Sequence, residues 1–107
     1  MRVLKEERNK VYEKFENLAE EIENSSNLDK KTRELIKISV CVAQGSMFGI
    51  SKHTTSALHA GARKAEIIDT IVCCLPVCGI ASTNQALEAA VSTISLRKDQ
   101  EQEAANG

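Results

Sequence analysis

Few side chains in this sequence can do nucleophilic, redox or acid–base chemistry: four cysteines, Cys41, Cys73, Cys74 and Cys78, and two histidines, His53 and His59. Thiolates attack peroxides and disulfides and bind soft metals, so four thiols in 107 residues first suggest redox or metal chemistry. Their spacing points elsewhere. Zinc sites draw closely spaced ligand pairs from two separate elements, whereas Cys73, Cys74 and Cys78 fall in one segment without a nearby His, leaving only Cys41 as a fourth ligand. A vicinal or one-turn disulfide would be strained. Free cysteines pack as small hydrophobes, and that is the expected role of these four, with no metal site. His59 sits near the end of a helix, where the dipole favours an imidazolium, so it reads as structural. Ser46 reads as a helix N-cap, because a catalytic serine needs a base and an oxyanion hole that no motif announces. Glu34 falls in the first turns of a helix at the edge of a buried region, where an acid complements the helix N-terminus.

The elements that must position these residues are helices. Leu4, Val11, Phe15, Leu18 and Ile22 fall on one face of an amphipathic helix over about residues 3–23. Asn24, Ser25, Ser26 and Asn27 end it, because their side chains compete for backbone hydrogen bonds. Asp29 caps a second helix through about Gln44, apolar enough to be buried nearly all round. Gly45 punctuates, Ser46 opens a third helix to about Ala60, and Gly61 stops it. Pro76, which lacks an amide hydrogen, and Gly79 divide the long apolar stretch that follows into helices over about 64–76 and 80–97. Residues 98–107 form a polar tail expected to fray. Strand signals are nearly absent, so the fold class is all-α, a compact bundle of about five helices.

Composition bounds the rest. A chain of 107 residues, 42% apolar, suits a single domain, 1–107, with an N-terminal helix and loop over 1–27. Fifteen acids against fourteen bases, with no basic block, argue against nucleic-acid binding. No apolar run reaches the ~20 residues of a spanning helix, and the charged N-terminus is unlike a signal peptide. The expected setting is cytoplasmic, with no membrane partner. Much of Ile67–Ile94 is apolar on every side, more than one such chain can bury, so a homo-oligomer is expected.

The segment LDKKTRELIKISVCVAQGSMFGISKHTTSALHAGARKAEII orders a carboxylate in a buried helix, a turn into a new helix, a His, then ALxAGA and an EII step. This order resembles the carboxymuconolactone decarboxylase and alkylhydroperoxidase D family from Leu28 to about Ala90, and PVCGIASTNQALEAA resembles that family's Gly-rich C-terminal helix segment. The resemblance implies an alkylhydroperoxidase D-like bundle assembling as a trimer or hexamer. In the redox branch a Glu, two cysteines and a His follow one another at a spacing that lands here on Glu34, Ser46, Gly49 and His53. The Glu and His match; the cysteines do not. Neither Gly nor Ser can form the disulfide that this mechanism needs.

The lactone decarboxylase branch, which lacks the cysteine pair and keeps the His before AL-x-AG, fits His53, Ala57, Leu58, Ala60 and Gly61. Such chemistry implies a small-molecule substrate, no cofactor, and a proton carrier active near neutral pH, for which an imidazole is suited. His53 and Glu34 are therefore the expected catalytic pair of a lyase or isomerase. Ser46, Gly49, Cys78 and Asn84 are the expected pocket residues, Cys78 by the family comparison and Asn84 as a donor to a carbonyl or enolate oxygen. Arg33, Lys37, Lys52 and Arg63 lie nearby, but no motif selects one as an anion clamp. The alternative is a thiol-dependent antioxidant of the alkylhydroperoxidase D type working through Cys78 or Cys74, or a non-catalytic member.

Overall fold

The computed structural model describes residues 1–106. Seven helices follow one another, α1 (Arg2–Glu7), α2 (Asn9–Ser25), α3 (Lys30–Gln44), α4 (Met47–His59), α5 (Lys64–Val72), α6 (Leu75–Cys78) and α7 (Ile80–Asn106). The described residues contain no strand, as an all-α reading requires. Local chemistry sets most boundaries. Asp29 accepts the Thr32 amide at 2.8 Å to open α3, and Gly45, at φ 67°, closes it in the left-handed region that costs glycine nothing. Ser46 accepts the Gly49 amide to open α4. Pro76 stands second in the short α6, and α5 already ends at Val72, whose carbonyl the proline ring would meet in a continuous helix.

Four features differ from expectation. The helix expected over 64–76 ends at Val72, and Pro76 falls in a separate short helix, α6. The N-terminal helix is broken at Arg8, whose backbone leaves the helical region at φ −145° while its guanidinium donates to the Glu7 carbonyl. The C-terminal tail does not fray before Asn106: residues 97–106 are mostly strong helix formers, and Arg97 pairs with Glu101 one turn on at 3.3 Å. α3 is not buried all round, because Ile36 and Val40 remain about half exposed among the described residues.

The core lies where α3, α4, α5 and α7 meet. Ile38 and Val42, Ile50 and Ala57, Ile67 and Ile71, and Ala86, Ala90 and Ile94 supply it from these helices in turn. Ala86 and Ala90, one turn apart, give α7 a narrow face on which its neighbours can approach closely. All three aromatic residues stay outside the core, with Phe48 81% exposed. Close approach is tightest between α3 and α4. A Cβ on Gly49 would lie 2.5 Å from Cys41 Sγ and 2.9 Å from Ser46 Oγ, closer than any ordinary contact, so the thiol occupies the space where a side chain at 49 would stand.

Helix α2 stands apart from this core. Its apolar residues Val11, Phe15, Leu18 and Ile22 are 42–60% exposed, and the radius of gyration, 15.5 Å, exceeds the ~13 Å of a compact chain of this length. Its charged link to the body runs through Glu23, which accepts hydrogen bonds from Lys37 and Arg33 on α3. Arg33 also donates to the Leu28 carbonyl, pinning the intervening loop.

Two outcomes follow. Gly49→Ala should cost about 1–3 kcal/mol in denaturant unfolding, and adding Cys41→Ala should recover part of that loss; strictly additive losses would show that the thiol contact is not the cause. The Lys37 hydrogen bond, more than its charge, holds the Glu23 carboxyl below the ordinary 4.5. The tether is therefore complete above pH 4.5 and lost as pH falls through the lower folded value. Amide exchange of residues 9–25 should accelerate over that acid range, and in Glu23→Gln it should already be fast at neutral pH.

Candidate acid–base site

Helix α3 presents Lys30, Glu34 and Lys37 at i−4, i and i+3, so the three side chains share a face. Helix α4 packs against that face and brings His53 to it. His53 Nδ1 lies 2.7 Å from Glu34 Oε2. The other carboxylate oxygen, Oε1, faces Lys30 Nζ at 3.4 Å and Lys37 Nζ at 3.8 Å. The Glu34 side chain is only 5% exposed and that of His53 is 21% exposed. A carboxylate can only accept, so Nδ1 donates and Nε2 is left as the ring's acid–base atom. Lys37 lies between two acids, since it also donates to Glu23.

A cavity of about 510 Å³ adjoins the pair, between α2 and the α3–α4 face. Phe15, Leu18 and Ile22 line it from α2 together with Glu16 and Glu23, and Lys37, Lys52 and His53 line the facing side. Its volume falls within the range of ~300–1,000 Å³ common to small-molecule sites. Of the four cations near the site in sequence, Arg33 is held by Glu23 and the Leu28 carbonyl, and Arg63 stands by Glu66 at the start of α5. Lys37 and Lys52 are the two that border the cavity, and Lys52 has no carboxylate partner among the described residues. Their selection depends on how α3 and α4 cross, which no local pattern carries. The spacing of Lys30 and Lys37 about Glu34 was the one available signal for a charged cluster on this face.

The other expected site residues lie elsewhere. Ser46 is engaged as the cap of α4, and Gly49 is buried over Cys41. Asn84 is exposed on α7, its amide 3.4 Å from Glu88 Oε1. Cys78 shares a separate groove of about 370 Å³ with Cys73, Cys74, Ser39, Val40 and Val77, away from His53. Cys41 and Cys74 are buried, Cys78 is partly covered and Cys73 is exposed. Burial pushes the Cys41 thiol up, with the charge of Lys52 offsetting this in part. Cys74 donates to the Thr70 carbonyl at 3.5 Å. Among the described residues no group of His, Cys, Asp and Glu is placed to hold a metal ion, and no helix is long and apolar enough to cross a membrane. His59 is exposed at the end of α4, bordering a polar cleft with Asp29, Lys30 and Lys31.

Comparison with curated proteins returned no match, nor did comparison with solved structures. A family model does match, over residues 9–92, a span that includes α2, the Glu34–His53 pair and the first half of α7. With most of its length inside that match, the chain belongs to the carboxymuconolactone decarboxylase family.

Proposed function

We propose that this protein is a cofactor-free lyase or isomerase that moves a proton at an activated carbon, with His53 as the acid–base group and Glu34 as its partner. The 2.7 Å contact between the two side chains, beside a cavity of ligand size, carries the reading. Glu34 fixes the imidazole tautomer and stabilises the imidazolium formed when Nε2 takes a proton. In a decarboxylation the substrate carboxylate leaves as carbon dioxide, its bonding electrons pass into a dienolate, and the imidazolium, which takes its proton from water, delivers that proton to carbon. In an isomerisation Nε2 removes the proton from one carbon and delivers it to another. Lys30 and Lys37 offset the charge of Glu34, which supports a carboxylate that keeps accepting from Nδ1 throughout.

Thiol chemistry has less support. The Cys41 thiol is buried and pushed up, and none of the other three lies in the cavity that His53 borders. Self-association is part of the proposal: Ile36, Val40, Val77 and Ile80 are 46–87% exposed, and a second copy seated over such residues would remove them from water.

Deuterium incorporation from heavy water into a β,γ-unsaturated lactone carboxylic acid, followed by NMR, tests the chemistry. His53→Ala should slow exchange or decarboxylation by about 10²-fold or more, with the helical circular-dichroism spectrum kept. Glu34→Gln should also slow it, less severely, because the imidazole remains. Rates in His53→Ala equal to those of the parent protein would end the acid–base reading.

A further inference from the structure

The cavity beside His53 is chemically two-sided. One side is the α2 stripe, whose Phe15, Leu18 and Ile22 are 42%, 60% and 56% exposed. The other side is charged, but its charges are not equally available. Glu23 is held by Arg33 and Lys37, Lys37 is also drawn toward Glu34 at 3.8 Å, and Glu34 is held by His53 and Lys30. Glu16 stands on the α2 rim of the cavity. Among the side chains that line the cavity, Lys52, one residue from His53 along α4, is the one lysine without a carboxylate partner among the described residues.

An apolar wall facing one unpaired ammonium fits a ligand with one carboxylate and an apolar body. A second carboxylate would find as the other lysine Lys37, already shared between two acids, and would lie against Glu23. A cationic head would meet Lys52 with like charge. We infer that this cavity binds an amphipathic monocarboxylate, its apolar body on Phe15, Leu18 and Ile22 and its carboxylate on Lys52, which leaves the carbons next to the head group beside His53. The inference names the substrate class of the acid–base site and rests on that reading. It also gives the exposed stripe of α2 an occupant.

Isothermal titration calorimetry of the full chain with decanoate, adipate and decyltrimethylammonium at neutral pH provides the test. Decanoate should bind saturably, one per chain. Adipate lacks the apolar body and decyltrimethylammonium reverses the charge, so each should bind more weakly by about tenfold or more. Lys52→Gln should weaken decanoate by about tenfold or more, and Leu18→Asp should remove its binding, with both variants helical by circular dichroism. His53→Ala should keep decanoate affinity while losing deuterium exchange, which separates the ligand class from the chemistry. Decanoate that fails to bind while exchange still depends on His53 overturns the ligand class alone; decanoate bound as expected while exchange ignores His53 overturns the acid–base reading. Equal affinity for the quaternary ammonium, or unchanged affinity in Lys52→Gln, overturns the inference. So does sedimentation showing that Leu18→Asp breaks an oligomer in a protein that binds no decanoate, since a second copy would then cover α2.

Discussion

A carboxylate withdrawn from water must be met on both oxygens, and Glu34, with a side chain only 5% exposed, imposes that requirement on the helices around it. Oε2 needs a donor from across the α3–α4 contact and finds His53; Oε1 needs positive charge and finds Lys30 and Lys37 on its own helix. The two lysines keep partial exposure, 57% and 39%, so their ammonium groups stay hydrated while their stems run along the helix. The crossing of α3 and α4 is thus fixed at two levels, by Glu34 and His53 near the start of α3 and by the Cys41–Gly49 approach further along it. Asp29, Gly45 and Ser46 set where each helix begins and ends, and so which turn of α3 meets which turn of α4.

The same cluster reaches α2 through Lys37. Glu23 and Glu34 compete for one ammonium, and Arg33 shares Glu23, so charge runs continuously from Arg33 to His53. A helix with little apolar packing against the body is held mainly by this network. Its surface ion pairs are individually weak, which suits a wall that can move while the core beneath it keeps its geometry. Salt and pH therefore act on the position of α2 before they act on the bundle. The cavity is walled by α2, whereas the Glu34–His53 contact is made between α3 and α4.

What the residues disclosed beforehand was mostly local. Asp29, Gly45, Ser46 and Gly61 each act within a few residues, and the helix boundaries they imply agree closely with those observed, whereas the helix assigned up to Pro76 ends four residues earlier, at Val72. The break at Arg8 has no such marker, since neither Gly nor Pro is present, and the helical tail ran against a polarity argument that neglected helix propensity. Exposure was harder to read. The stripe on α2 and the outer face of α3 have the periodicity of buried surfaces, but periodicity marks a face without saying what covers it. Glu34 and His53 were reached through family resemblance, because nineteen residues of separation carry no local signal that two side chains meet. The distinction among Arg33, Lys37, Lys52 and Arg63 is likewise one of packing. All four are ordinary surface cations in sequence, and only the helix crossing decides which of them borders the cavity.

The cysteines show why residue type alone misleads. At the two positions that a redox relative fills with thiols, this chain has a cap and a glycine, and Cys41 Sγ projects into the space above that glycine. A sulfur atom thus stands close to where a reactive one would be expected, in a setting that reverses its chemistry. It reaches the spot from α3 and is buried, and desolvation disfavours the thiolate more than Lys52 favours it. The thiol fills volume that position 49 cannot fill without a Cβ. The imidazole one turn on needs no thiol, because its partner is the carboxylate at 2.7 Å. The absence of thiols at positions 46 and 49 therefore leaves the Glu34–His53 contact intact, so the two sets of positions are structurally independent on one helical frame.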